Sequence, residues 1–261
     1  MSDPKTDWYD HPEYFDLIFA DETDAEIAFF EAAFEKHAGR SIQSVFEPGC
    51  GSGRLIAAMA ELDYQVAGLD MNQKMLDFVD QRLTKLGHKA TLIRGDMTSM
   101  ELPEKYDAAF CTFNTFRHLM TDDAVNSHLR TLADHIEVGG LYILGFHIIP
   151  LDADEEEVEE WEATNDDFTV DATLAVIGFD RDNRREKLEV TIDVTRKDGT
   201  TDQVKTIFPL RLYTCDEASE MLQSVKDVWE IVGIYDFDYD IDEQRDMDDD
   251  LCDAVFVLRR K

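Results

Sequence analysis

From Ile42 onward, apolar runs of strand length alternate with stretches in which apolar residues recur every three or four positions. The spacing predicts strands over 42–47, 64–70, 90–95, 106–113 and 141–148. Helices are predicted between them, one reaching Leu62, one over 72–86 and one over 122–137, where Val125, Leu129, Leu132 and Ile136 share a face. Largely apolar strands alternating with helices imply an α/β fold: a doubly wound, mostly parallel sheet covered by helices on both faces. Pro150 ends the alternation, and the acidic run after it shows no core-forming pattern until Phe168. Strand-like segments then follow over 168–179, 188–196 and 204–213, with Arg196-Lys197-Asp198-Gly199-Thr200 as a hairpin turn. Consecutive strands with short turns predict an antiparallel β flap after the fifth strand. Helical spacing returns with Ala218, Leu222 and Val225, and strands over 229–235 and 254–258 bring the sheet to seven strands.

Ahead of this alternation stands an aromatic segment, Trp8-Tyr9-Asp10-His11-Pro12-Glu13-Tyr14-Phe15. A helix follows, with Thr23 and Glu26 as its capping box and Ile27, Phe30 and Phe34 on one face. The expected organisation is an N-terminal helical lid over 1–40, a main domain over 41–149 and 214–261, and a flap over 150–213. A chain of 261 residues suits one such core.

Charge narrows the partners. The formal net charge is −33, with acids concentrated over 152–167 and 236–253. Such a chain repels polyanions, so nucleic acids and anionic membranes are not expected partners. The acidic runs read as solvated surface or as adaptation to salt. Cys50, Cys111, Cys215 and Cys252 show neither paired spacing nor a histidine cluster, so neither disulfides nor a metal is expected. No apolar run approaches the ~20 residues of a membrane span, and a soluble, cytoplasmic protein in a reducing compartment is expected.

Candidate chemistry begins at Val45-Phe46-Glu47-Pro48-Gly49-Cys50-Gly51-Ser52-Gly53-Arg54, a strand entering a glycine-alternating turn and then a helix. Glycines permit a sharp bend and close approach of a ligand, and the helix start offers unpaired amide donors. A dinucleotide fingerprint needs glycine at position 54, where this chain has Arg54. The form E-x-G-x-G-x-G-R resembles instead the first motif of class I S-adenosylmethionine-dependent methyltransferases, which have a Rossmann-like fold. Asp70 ends the second strand and Asp96-Met97 the third, at the carboxyl edge where doubly wound sheets bind ligands. Asn114-Thr115-Phe116-Arg117-His118-Leu119 is similar to the N-[ST]-x-x-H-L segment of small-molecule members. Val138-Gly139-Gly140-Leu141 is similar to their turn into the fifth strand. Arg211-Leu212-Tyr213-Thr214 with Glu217 resembles the R-x-Y-T-x-x-E that returns from a β insertion in N-methyltransferases acting on sugars and small amines.

The resemblance implies S-adenosylmethionine as cofactor and S-adenosylhomocysteine as product. It implies that Glu47 and the backbone of Gly49, Gly51 and Gly53 hold the methionine moiety, Asp70 the ribose, and Asp96 with Met97 the adenine. Met71 would flank the other ring face or belong to the core. Thr112 or Cys111 would lie under the sulfonium, Arg54 would pair with the cofactor carboxylate or be solvated, and Tyr14 would close over the cofactor or pack in the core. His118 and His147, both following strand ends, are the candidate catalytic bases or substrate contacts. Arg117, Arg211 and Tyr213 are candidates for orienting a substrate, the last two alternatively for anchoring the flap. The expected function is methyl transfer to a nitrogen or oxygen of a small molecule by in-line displacement. The rival reading is a non-catalytic cofactor-binding sensor or assembly subunit; nicotinamide dehydrogenase and RNA methylation stand further off.

Overall fold

The computed structural model describes residues 7–153, 157–248 and 250–261. The acids at 154–156 and 249, parts of the two acidic runs, lie outside the described residues. Two short helices open the chain after a 3-10 turn at Trp8–Asp10: α1 (Pro12–Ile18) and α2 (Thr23–His37). The main sheet is built from β1 (Ser44–Pro48), β2 (Gln65–Asp70), β3 (Thr91–Arg94), β4 (Tyr106–Cys111) and β5 (Ile136–His147). Between them run α3 (Arg54–Glu61), α4 (Gln73–Leu86) and α5 (Asp122–His135). A second sheet follows as β6 (Val158–Thr164), β7 (Phe168–Asp180), β8 (Arg185–Arg196) and β9 (Thr201–Arg211). The chain then returns through α6 (Cys215–Ser224), β10 (Trp229–Asp236) and β11 (Asp253–Arg260) to the main sheet.

The seven strands lie in the order β3-β2-β1-β4-β5-β11-β10. β1 to β5 pair in parallel, and β11 runs antiparallel to both β5 and β10. The chain leaves β1 toward β2 and β3, then crosses back to place β4 on β1's other side. Helices therefore diverge to opposite faces above β1 and β4, and this switch point opens a crevice at the carboxyl edge. Period-two alternation feeds two cores. Val45, Ala108, Phe110 and Ile143 face α2, α3 and α4, while Phe46, Tyr106, Cys111 and Tyr142 face α5 and α6. Phe30 of α2 is fully buried and stacks on Phe110 at 4.8 Å; burial of one such ring stabilises by about 1.5–3 kcal/mol.

The second sheet is an antiparallel meander β6-β7-β8-β9. Its inner residues Val170, Val190, Ile192 and Val204 pack against Trp8, Tyr14, Ile18 and Phe19. The first forty residues are thus shared: 8–19 lie on the second sheet and α2 in the core of the main one. Strand β6 was not expected. Its exposed Glu159, Glu160 and Glu162 hide any apolar alternation, as suits an edge strand whose charges discourage further pairing. The expected capping box at Thr23 and Glu26 is also absent, because the Glu26 side chain turns inward and α2 starts without a side-chain cap. A capping box does form at Thr214 and Glu217 of α6. No helix among the described residues is long and apolar enough to cross a membrane.

Gly140 shows how tightly β4 and β5 approach. A Cβ there would sit 2.2 Å from the Asp107 carbonyl oxygen and 2.8 Å from that of Glu137. Gly140→Ala is expected to cost about 1–3 kcal/mol as the strands separate; an unchanged urea midpoint would contradict this packing.

Candidate active site

The turn after β1 is shaped by three residues in the left-handed region, Gly49, Gly51 and Gly53, with φ of 72°, 50° and 70°. The bend is tied to the tip of β2. Gly49 N–H and Cys50 N–H donate to the Leu69 carbonyl at 2.6 and 3.0 Å, and Gly51 N–H donates to Asp70 Oδ2 at 2.9 Å. Side chains are excluded: a Cβ on Gly49 would meet Thr115 Cγ2 at 2.5 Å, and one on Gly53 would meet Val79 Cγ2 at 2.6 Å.

Above the bend lies a cavity of about 1080 Å³, at the upper edge of the ~300–1,000 Å³ usual for small-molecule sites. Its walls are the tips of β1 to β5, the inner face of the second sheet, and the aromatic rings of Trp8, Tyr9, Phe15 and Phe19. Glu47 reaches it from β1. That carboxyl is 8% exposed and its Oε2 has no hydrogen-bond partner. Burial pushes its pKa well up, against the pull of Arg54 and with the push of Glu26 and Asp70.

Arg54, at the start of α3, is buried and ion-paired with Glu26, and it donates to Thr23 Oγ1 at 3.2 Å. Its guanidinium lies 5.2 Å from the Phe113 ring centre. Thr112 Oγ1 donates to Glu26 Oε1 at 2.6 Å, and the Tyr239 hydroxyl approaches the same oxygen at 3.4 Å. Glu26 thereby joins α2, α3, β4 and the segment after β10 beneath the cavity. Nothing in the residue pattern pointed to this role, since Glu26 matches a capping position.

Asp70 Oδ1 accepts from Asn72 N–H at 2.7 Å. Burial raises its pKa despite the amide donors that favour its charge. Asn72 Nδ2 donates to the Tyr9 carbonyl at 2.7 Å and clips the N-terminal segment over this strand tip. Met71 is 68% exposed on the cavity rim, with Asp96 and Met97 beside it; Asp96 Oδ1 accepts from Thr98 N–H at 2.8 Å.

Both candidate histidines line the cavity. His118 Nε2 lies 2.9 Å from the Tyr9 hydroxyl, and its ring stacks on Phe208 at 5.7 Å. The protein mass around it and the neighbouring Arg117 bring its pKa down to about 4, so the ring is neutral near pH 7. His147 Nδ1 lies 3.1 Å from Asp253 Oδ1, and its backbone N–H donates to Asn114 Oδ1 at 3.0 Å. Phe113 and Asn114 both have positive φ, 59° and 64°, and this uncommon pair of left-handed residues turns the β4 loop under the cavity.

Other candidates stand elsewhere. Arg117 borders the cavity, yet its guanidinium is committed to Glu186, the Arg211 carbonyl at 2.8 Å and Asn114 Oδ1 at 3.2 Å. Arg211 and Tyr213 are buried outside the cavity lining, with Arg211 paired to Asp122 and 4.8 Å from the Tyr213 ring centre. Tyr14 points away, its hydroxyl accepting from Arg196 at 3.0 Å, and Trp8, Tyr9, Phe15 and Phe19 supply the aromatic wall instead. Thr112 lines the cavity, but Cys111 does not, because neighbouring strand residues face opposite ways; Cys111 packs in the α5/α6 core, where burial lifts its thiol to about 12.

A pyrophosphate laid over this bend would face a bare carboxylate, whereas an ammonium group would be matched by it. A ligand with a nucleoside at one end and an amino-acid tail at the other would suit both Asp70 and the neighbouring Glu47 and Arg54. Residues 45–140 match the family model of a methyltransferase domain. Over 101 residues the chain is 28% identical to the dTDP-3-amino-3,4,6-trideoxy-alpha-D-glucopyranose N,N-dimethyltransferase of Streptomyces venezuelae, covering 39% of this chain and 41% of the relative. Over 79 residues it is 32% identical to the ubiquinone biosynthesis O-methyltransferase of Nitrosospira multiformis, covering 30% and 33%. The matched segment thus spans about two fifths or less of these two curated relatives. The fold extends further. The crystal structure of DesVI from Streptomyces venezuelae superposes with a TM-score of 0.78 at 18% identity, over 99% of this chain and 100% of that one. A cofactor-bound amino pentose methyltransferase from Micromonospora echinaspora gives 0.69 at 18% identity, over 92% of each chain.

The buried pair under the cavity carries a stability prediction. Glu26→Ala leaves the Arg54 charge buried without its partner and should cost about 3–5 kcal/mol; a loss below ~1 kcal/mol in chemical denaturation would show that the pair does not hold α2 to the floor.

Proposed function

We propose that this protein is an S-adenosylmethionine-dependent methyltransferase that modifies a nitrogen of a small molecule, with the N-terminal segment and the second sheet as its lid. The observation that carries the reading is the unpartnered Oε2 of Glu47, buried in the same cavity as Arg54. In this reading Glu47 takes the ammonium and Arg54 the carboxylate of the methionine tail, Asp70 takes the ribose, and Asp96 with Met71 and Met97 the adenine. The cavity's size supports room for an acceptor beside the cofactor. The names of the Streptomyces venezuelae and Micromonospora echinaspora proteins, both methyltransferases of amino sugars, support nitrogen as the acceptor atom.

When bound, S-adenosylmethionine supplies an electrophilic methyl carbon on a sulfonium whose leaving thioether needs no proton. What remains for this chain is alignment and exclusion of water. The aromatic wall excludes water, and Thr112, fixed by Glu26, sets the floor. His118, neutral at physiological pH, relays to solvent the proton that the amine sheds, while Tyr9 holds its ring. His147, oriented by Asp253 and Asn114, faces the acceptor from the β5 tip. Arg117, Arg211 and Tyr213 act as struts for the lid.

Isothermal calorimetry with S-adenosylhomocysteine tests the reading: the wild-type protein should bind, and Asp70→Ala should weaken binding by about 1–3 kcal/mol. Absence of heat in the wild type would end the assignment. Because burial raises the Glu47 pKa, binding of an ammonium group to its carboxylate form is coupled to loss of the carboxyl proton at any pH below that pKa. Affinity should therefore rise with pH through the carboxyl's ligand-free pKa, and Glu47→Gln should abolish that slope; a pH-independent wild type would remove Glu47 from the site. His118→Ala and His147→Ala should lower turnover more than product affinity, and full activity in both would dismiss the two histidines as catalytic.

A further inference from the structure

The wall of the cavity opposite the glycine bend has a charge pattern of its own. Strand β6 presents Glu159 and Trp161 to the cavity on alternate positions, and Glu157 lies just before its start. Trp161 lies 5.8 Å from Phe19, which lies 5.0 Å from Phe113, so the acids adjoin a continuous aromatic surface. Neither Glu157 nor Glu159 is ion-paired with a lysine or arginine among the described residues. Burial raises the Glu159 pKa, and the charges of Glu157, Asp253 and Glu186 raise it further, whereas His147 lowers it. The four groups around it thus converge on one region.

The basic side chains lining the cavity are spent or remote. Arg117 is locked to Glu186, and Arg54, beside Glu26, lies at the glycine bend where the methionine tail belongs. Lys74 pairs with Asp10 at 3.3 Å and Arg94 donates to the Met71 carbonyl at 3.2 Å, both by the tips of β2 and β3 where the nucleoside belongs. The start of α5 borders the acceptor region, but its first turn carries Asp122 and Asp123, and its Ala124 N–H is capped by Thr121. Phosphate recognition relies on free guanidinium or ammonium groups or on open helix starts. Neither stands here among the described residues. Carboxylates beside aromatic faces are instead the chemistry that recognises an ammonium ion.

Resting on the methyltransferase reading above, we propose that the acceptor is a phosphate-free amine that enters as its ammonium ion, drawn in by Glu157 and Glu159 and laid against Trp161, Phe19 and Phe113, and that sheds its proton toward solvent before the nitrogen lone pair attacks the methyl carbon. The nucleotide-linked sugar named for the Streptomyces venezuelae relative is the class of acceptor this wall rejects. The bare oxygen of Glu47 in the same cavity marks the space as one built for ligands, and the acids on β6 set which second ligand enters.

The test uses the full-length protein saturated with S-adenosylhomocysteine, titrated in a calorimeter with phenethylamine, spermidine and thymidine diphosphate at one fixed ionic strength. At least one amine should bind, should weaken at least tenfold in the Glu157→Gln/Glu159→Gln double variant, and should lose affinity as salt is raised. Thymidine diphosphate should show no binding to the wild type. The proposal is overturned by thymidine diphosphate binding within tenfold of the better amine, by absence of heat with both amines, or by an amine affinity that the double variant leaves unchanged. S-adenosylhomocysteine is titrated first into both proteins: its failure to bind the wild type defeats the methyltransferase reading itself, while its equal binding to both shows that the double variant is folded and isolates the acceptor question.

Discussion

A carboxylate oxygen without a partner, buried under a glycine bend, is the constraint around which the rest of this molecule is arranged. Removing an ionised carboxyl from water is costly unless something compensates it, and Glu47 Oε2 finds no donor among the described residues. The neighbouring Arg54, the natural source of relief, is held by Glu26 and Thr23. In the proposed reading an external cation, the ammonium group of the ligand, completes this strand tip. The bend above it cannot relax to supply a donor, because its first amides are bound to the Leu69 carbonyl and to Asp70. One set of hydrogen bonds both fixes the loop and places Asp70, the acid proposed to take the nucleoside.

The same economy ties the lid to the floor. Glu26 comes from the N-terminal region, yet it lies beneath the cavity, where it fixes Arg54 and Thr112 at once. Asn72 holds Tyr9 from the other side, and Tyr9 in turn meets His118. Residues that cover the ligand are thus bonded to residues that contact it, so closure of the aromatic segment and alignment of the site are parts of one arrangement. Arg117 with Glu186 connects the loop after β4 to the second sheet in the same manner.

Much of this was readable from the chain because the relevant signals are local. Strand and helix periods gave the order of elements in the main sheet, and the glycine spacing with Glu47 gave the bend. The family resemblance marked Asp70, Asp96, Thr112 and His118, all of which line one cavity. What escaped is what depends on tertiary partners. Strand β6 carries too many charges to show a period, and it exists because β7 offers an edge to pair with. Glu26 was indistinguishable from a capping residue until a buried arginine stood beside it. Tyr14 and the aromatic residues around it share a composition, and only packing against the second sheet decides that Tyr14 turns into that sheet's core while Tyr9 and Phe15 line the cavity. Cys111 and Thr112 differ by one position, and the end of the pleat determines which of them faces the ligand.

The most direct measurement is a crystal structure with S-adenosylhomocysteine. The account places the product's ammonium nitrogen within hydrogen-bond distance of Glu47 Oε2, its carboxylate on Arg54 and its ribose hydroxyls on Asp70. A product bound elsewhere, or bound over the bend with Glu47 still unpartnered, would contradict it.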